Sequence, residues 1–309
     1  MKKLTTILVL LLLCGLFCGG NSYAYDSSCS ACSDANAITK PEQKSPYRYP
    51  SSGDTYFTYY SNITGYKNNG LWGFYSQYDR SVNIPPMYTE IEGLDSNYIK
   101  VKRDGRWGIV STDGYQLLQP LYDEIETFRL GYTDNFKVRA NGYYGIVNAS
   151  GTEIIPVTYS SITRLSDSYL KVSQANKYGI ISATDAYIVV SMSYDDVGLL
   201  DRYFKVKFGG KWGLLDKLQN TIVPARYDDI KILNNLYFAV KSGRVWGTVD
   251  AKTGEEVITP QYDKIEFGKA NYLKVKHNGK WGAVNYEGKV VIPIVKGPLE
   301  INKELKKIY

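Results

Sequence analysis

Apolar residues fall in short alternating runs along most of this chain. Tyr98-Ile-Lys-Val101, Phe136-Lys-Val138, Tyr169-Leu-Lys-Val172, Tyr203-Phe-Lys-Val206, Tyr237-Phe-Ala-Val240 and Tyr272-Leu-Lys-Val275 each alternate with the period of a β-strand. Two residues separate each run from a turn pair: Asp104-Gly105, Asn141-Gly142, Ala175-Asn176, Gly209-Gly210, Gly243-Arg244 and Asn278-Gly279, with Asn69-Gly70 as the earliest. Asn-Gly and Asp-Gly accept positive φ at both central residues, so these pairs predict two-residue hairpins. A strand built on an aromatic-Gly pair comes next, then a second turn at Asp113-Gly114, Ser150-Gly151, Thr253-Gly254 or Glu287-Gly288. A third apolar strand is expected to end in Pro (Pro85, Pro120, Pro156, Pro224, Pro260, Pro293). A Tyr-Asp segment closes the unit, as in Tyr122-Asp-Glu-Ile125, Tyr194-Asp-Asp-Val197, Tyr227-Asp-Asp-Ile230 and Tyr262-Asp-Lys-Ile265.

The aromatic-Gly pair marks the period. It occurs at Trp72-Gly73, Trp107-Gly108, Tyr144-Gly145, Tyr178-Gly179, Trp212-Gly213, Trp246-Gly247 and Trp281-Gly282, in steps of 35, 37, 34, 34, 34 and 35 residues. A near-constant period of this size predicts a tandem-repeat architecture. With Asn278-Gly279 as the turn, Val275 faces Gly282, Lys276 faces Trp281 and Leu273 faces Val284. Directly opposed residues share a face. One face therefore holds Leu273, Val275, Gly282 and Val284, and the other holds Lys274, Lys276, Trp281 and Ala283. The same sorting gives Phe204, Val206, Gly213 and Leu215 against Lys205, Lys207, Trp212 and Leu214, and Ile99, Val101, Gly108 and Val110 against Lys100, Lys102, Trp107 and Ile109. The Gly is expected to let a neighbouring layer approach, while Lys stems lie along the Trp ring. Hairpins apolar on both faces require neighbours on both sides. The chain is thus expected to be all-β: seven tandem ~35-residue hairpin units in a seven-bladed propeller, or alternatively an open β-solenoid of stacked hairpins. Closing a propeller would require strands near Tyr56 to Tyr60 to pair with the last repeat.

These residues resemble the WG-repeat family of bacterial proteins, whose units carry an Asn-Gly-Lys-Trp-Gly hairpin, a strand ending in Pro and a Tyr-Asp segment. The resemblance spans roughly residues 55 to 294. It departs at Tyr144 and Tyr178, which replace Trp, at Ser191, which stands for the Pro, and after Pro293, where the Tyr-Asp segment is missing. The resemblance implies a β-rich array and transfers no activity, substrate or site residue.

The N-terminus follows a different pattern. Met1-Lys2-Lys3 precedes an apolar run from Thr6 to Phe17, and Ser22-Tyr23-Ala24 supplies small residues before a cut, so residues 1–24 read as a signal peptide cleaved after Ala24. The run is shorter than the ~20 residues of a membrane span. The rival reading is a lipoprotein acylated at Cys14 or Cys18, against which stand the bulky Leu13 and Phe17. Cleavage removes Lys2 and Lys3 and no acid, lowering the net charge from +6 to +4. The positive residues are dispersed, unlike a nucleic-acid patch. Residues 25–54 read as a flexible Ser/Pro-rich linker. It contains Cys29 and Cys32, candidates for a local disulfide or a tether. Residues 55–295 form the array, and 296–309 a tail with apolar residues suited to capping it.

Candidate chemistry is sparse. The seven aromatic-Gly positions (Trp72, Trp107, Tyr144, Tyr178, Trp212, Trp246, Trp281) read as one core aromatic per repeat rather than as sugar-stacking platforms. The strand-leading Tyr98, Tyr169, Tyr203, Tyr237 and Tyr272 are the candidates for a binding surface. The acid pairs Asp123-Glu124, Asp195-Asp196 and Asp228-Asp229 suggest acid/base chemistry, but their recurrence after a Tyr favours turn capping. His277, the single histidine, flanks a turn. No catalytic residue, metal site or cofactor is expected. The sequence reads as an exported, non-catalytic module, secreted, periplasmic or at the cell envelope, that binds protein, peptide or glycan and neither nucleic acid nor a membrane through a spanning segment. An envelope-polymer hydrolase and a purely structural spacer are the alternatives.

Overall fold

The computed structural model describes residues 55–58, 63–76, 78, 82–131, 133–268 and 272–307. The expected signal peptide and the linker with Cys29 and Cys32 lie outside the described residues. Seven four-stranded antiparallel sheets follow one another along the chain, each with its strands in sequence order. They span 55–88, 90–122, 124–159, 161–194, 196–227, 229–262 and 264–296. Sheet and sequence unit are out of phase. Tyr122 ends the second sheet, Asp123 is the joint, and Glu124–Thr127 is already the first strand of the third.

The central hairpins have the register read from the alternation: Val275 faces Gly282, Lys276 faces Trp281 and Leu273 faces Val284, and likewise around Val206 and Gly213 and Val101 and Gly108. Their turns have the required dihedrals, with φ of 52° and 77° at Asp104-Gly105 and of 48° and 78° at Asn278-Gly279. At Gly243-Arg244 only Gly243 is positive, at 60°, which is the pattern of the type II′ turn.

Two sequence expectations are corrected here. The third strand does not end at its Pro but runs past it to the Tyr, as in Gln116–Tyr122. Pairing slips across this stretch: Trp107 faces Tyr122 while Ile109 faces Leu118, so the outer strand bulges by two residues. Pro120 sits inside the bulge, where a missing N–H leaves no ladder bond unmade. The bulge also accounts for the Gly. A Cβ on Gly108 would lie 2.5 Å from Leu118 O and 2.8 Å from Pro120 N; one on Gly213 would lie 2.6 Å from Val223 O and 2.8 Å from Ala225 N. What approaches is the bulged strand of the same sheet, not a neighbouring layer.

Successive sheets pack face to face. Ile109 and Leu118 of the second meet Ile125, Phe136, Val138 and Val147 of the third. Ile258 and Tyr262 of the sixth meet Leu273, Val275 and Val284 of the seventh. Each such buried apolar side chain contributes ~1.5–3 kcal/mol. The forward face of the seventh sheet, with Trp281, Ala283 and Ile292, is covered by Ile301 and Leu305 of a helix, Pro298–Lys307. Pro298 opens this helix, and the Glu300 carboxylate accepts from Gly297 N at 3.0 Å, as in a capping box.

Among the described residues, the sheets do not close into a ring. Thr55–Thr58, the segment needed for closure, pairs instead with Ile63–Asn68 inside the first sheet. The helix, not a first-sheet hairpin, lies against the last hairpin.

Candidate functional site

Six of the seven repeated aromatics lie at sheet-to-sheet contacts. Trp72, Trp107, Tyr144, Tyr178, Trp212 and Trp246 are half-buried against the core shared with the next sheet, and Trp281 is buried against the helix. Lysines flank the rings: Lys205 Nζ lies 4.8 Å from the Trp212 centroid, Lys274 Nζ 4.3 Å from that of Trp281, and Lys171 Nζ 4.5 Å from that of Tyr178. Each contact contributes about 0.5–1 kcal/mol where exposed.

The strand-leading tyrosines are half-buried, and four of the five reach toward the next sheet. Tyr98 meets Phe136 edge-on at 5.0 Å, Tyr169 meets Phe204 at 5.3 Å, and Tyr203 meets Phe238 at 5.1 Å. Tyr237 leans on Tyr286 at 4.9 Å. Tyr272 is half-buried as well. Part of each ring is therefore committed to packing, and its remaining edge faces outward beside the inter-strand loops. Tyr98 also donates its hydroxyl to Asp134 Oδ2 at 3.0 Å. Burial first, then that bond, raises its pKa to about 12, so it stays a donor at neutral pH.

The acid pairs are clasps between sheets. Asp195 Oδ1 accepts from Lys177 Nζ at 2.7 Å while Oδ2 accepts from the turn amide of Gly210 at 3.1 Å. Asp228 does the same with Lys211 at 2.6 Å and Gly243 N at 2.6 Å. Asp123 binds Arg106 and, at 2.8 Å, Asn141 N. One carboxylate thus ties the cation that opens one aromatic-Gly strand to the hairpin turn of the following sheet. Its N–H extends the tie, as Asp228 N donates to Lys241 O at 2.8 Å. Lys177 and Lys211 hold the Asp195 and Asp228 carboxyls below the usual carboxylate range, helped by the turn amides. In two of the pairs the second acid bridges backward, as Asp229 Oδ1 accepts from Lys205 Nζ at 2.7 Å and Asp196 from Lys171, whereas Glu124 pairs with Arg139 of its own sheet at 3.8 Å. Burial pushes Asp229 up, but Lys205 and the Ile230 amide outweigh it and keep the carboxyl low.

The clasp was not read from the sequence, although a signal for it is there. Where the hairpin-leading cation is replaced, by Leu71 or Tyr143, the acid one sheet-joint later is replaced too, by Thr89 or Ser160. Val245 breaks the rule, and Asp263 keeps only its bond to Gly279 N, at 3.2 Å.

Among the described residues, no cluster of three His, Cys, Asp or Glu side chains is placed to hold a metal, and no helix is long and apolar enough to cross a membrane. His277 is exposed, and its Nδ1 donates to Gln261 O at 3.0 Å.

A model of the WG containing repeat matches residues 72–107, 107–133, 144–178, 212–244 and 246–281, more than half of the chain. The chain belongs to this family. The matched units of the WG-repeat array include the one opening at Tyr144, where Tyr stands for Trp, so the ring rather than the indole carries the pattern. No match covers 179–211, the unit in which Ser191 replaces the Pro. A comparison with functionally curated proteins finds no match.

Among solved structures, the chain is similar to a eukaryotic initiation factor (10% identity, 80% of this chain and 89% of that one, TM-score 0.36). It is similar also to apo AztD from Citrobacter koseri (11%, 79% and 86%, TM-score 0.32) and to the Pan2 WD40 domain of Neurospora crassa (11%, 68% and 80%, TM-score 0.28).

Proposed function

We propose that this WG-repeat chain is an exported, non-catalytic interaction module that binds protein, peptide or glycan at the cell envelope. The observation that carries this reading is the division of labour along each sheet. At the hairpin-turn end, the repeated residues are spent on structure: Asp123, Asp195 and Asp228 are held by cations and turn amides. At the opposite end, the strand-leading tyrosines keep a partly exposed edge beside loops of two to four residues, as between Asp196–Leu200 and Tyr203–Phe208, and a seven-residue loop separates Glu124–Thr127 from Asn135–Ala140. A scaffold of fixed joints with unequal loops at one end supports recognition there. The signal-peptide pattern of residues 1–24 supports the envelope setting.

The test is retention of envelope components on the immobilised chain from Tyr25 onward. Expected is a protein or glycan that is retained by the wild type, retained less by Tyr98→Phe and Tyr237→Phe, which keep their packing but lose the hydroxyl, and retained equally by Lys280→Ala at the hairpin-turn end. Retention of nothing, or breakdown of an envelope polymer by the chain, would overturn the reading.

A further inference from the structure

Two repeats lack the tyrosine at the loop end, and only one of them has a polar residue there. The strand Asn135–Ala140 opens with Asn135, where five of the equivalent strands open with Tyr98, Tyr169, Tyr203, Tyr237 and Tyr272 and the first opens with the apolar Ile63. Asn135 pairs with Asn148 just as Tyr98 pairs with Ser111, so the positions correspond. The loop before it, residues 128–134, is also the longest of its kind. Phe128 and Leu130 of this loop pack toward the fourth sheet, in the direction a tyrosine there would reach. A groove of about 530 Å³ lies over this end of the third sheet. That volume lies within the roughly 300–1,000 Å³ of small-ligand sites.

The lining mixes polar groups with the apolar Ala149 and Ile154, and its charged side chain is Asp134. Thr133 and Asp134 form one lip, Tyr98 of the second sheet a second wall, and the Asn148–Ser150 turn a third. Asp134 is balanced by Arg129 at 3.5 Å and accepts the Tyr98 hydroxyl. Asn148 Oδ1 is occupied by Ser150 N, Ser150 Oγ and Thr152 N, which leaves its Nδ2 to donate elsewhere. At the floor Asn135 is 2% exposed. Its Nδ2 donates to Thr133 O and Oγ1 at 3.2 and 2.9 Å, while Oδ1 has no partner. An orphaned buried acceptor is costly and is relieved by any donor that reaches it. Because Thr133 holds the Asn135 amide, movement of the same lip would admit such a donor.

We propose that this groove binds a neutral saccharide, whose hydroxyls both donate and accept and so match Asn135, Asp134 and Asn148 together. An anionic ligand would face the Asp134 carboxylate, and Arg129 is already paired with that carboxylate. One sugar hydroxyl can donate to Asn135 Oδ1 and a second to Asp134, either accepting from Asn148 Nδ2, and the sugar ring lies against Tyr98. This inference rests on the interaction-module reading and narrows its ligand to a glycan.

The test is calorimetric titration of the purified protein with a panel of neutral disaccharides: cellobiose, maltose and di-N-acetylchitobiose. At least one is expected to bind, and Asn135→Tyr, which restores the sister residue and removes the amide acceptor, should weaken it about 10-fold or more. Asn148→Ala on the exposed wall should weaken it as well, and serves if Asn135→Tyr does not fold. Lys280→Ala should leave it unchanged. If no disaccharide binds, or if the groove variants bind as the wild type does, the proposal is overturned. If disaccharides fail while envelope extract still yields a retained protein, the saccharide falls and the interaction module stands. If both fail, both readings fall.

Discussion

Replacing Gly213 by Ala isolates the role of the aromatic-Gly pair. The new methyl would meet Val223 O at 2.6 Å, Ala225 N at 2.8 Å and Ala225 Cα at 3.0 Å, all of them backbone. That is roughly an ångström inside the optimal carbon contact distance, and backbone within a paired strand cannot swing away as a side chain can. Overpacking of this kind costs about 1–3 kcal/mol, and rigid surroundings put it at the upper end. For an array of this size, about 2–3 kcal/mol corresponds to a fall in Tm of ~4–12 °C. Two other glycines of the same sheet separate the causes. Gly210 has open space around it but a φ of 78°, so Gly210→Ala should cost only the ~1–2 kcal/mol of left-handed backbone. Gly198 has neither constraint, so Gly198→Ala should be neutral or stabilising by up to ~1 kcal/mol. Urea and thermal unfolding of the three variants measure the order. A Gly213→Ala protein within about 0.5 kcal/mol of wild type, or a Gly198→Ala protein as damaged as Gly213→Ala, would refute the bulge account of the glycine.

Three further outcomes are expected. Asp195 and Asp228 have folded-state pKa values below the ordinary 3.8, so their contribution is present above that value and is lost as pH falls through the folded pKa. The Tm should therefore drop on acidification below about pH 4, and the Asp195→Asn, Asp228→Asn double variant should show a shallower drop. Ala175 holds a φ of 49°, which its Cβ resists; Ala175→Asn, matching Asn141 in the preceding sheet, should raise stability by about 1 kcal/mol in denaturant titration. Ile301 is fully buried against the last sheet; Ile301→Ala should cost ~2–5 kcal/mol and speed amide exchange first in the strand Lys280–Asn285.

The amino-acid sequence by itself determined the unit and its register. Alternation, Asn-Gly turns and a fixed period are local signals, and a two-residue turn leaves only one pairing, so Val275 opposite Gly282 could be written down without coordinates. What needed the tertiary structure was every contact between strands that are not joined by a tight turn. The bulge around Pro120 depends on how two strands share ladder bonds across a slipped register, so the reason for Gly108 was assigned to the wrong neighbour. The Arg106–Asp123–Asn141 clasp links residues 17 and 18 positions apart through a sheet joint that the sequence unit cuts in two. The open end was decided by tertiary packing as well. Thr55–Thr58 finds its partner in the adjacent Ile63–Asn68, and the helix buries Ile301 and Leu305 on the face that a ring would have offered to the first sheet. The groove at Asn135 exists because one missing tyrosine and one long loop meet in space. Each is visible in the sequence, but the orphaned oxygen between them is a property of the packed structure alone.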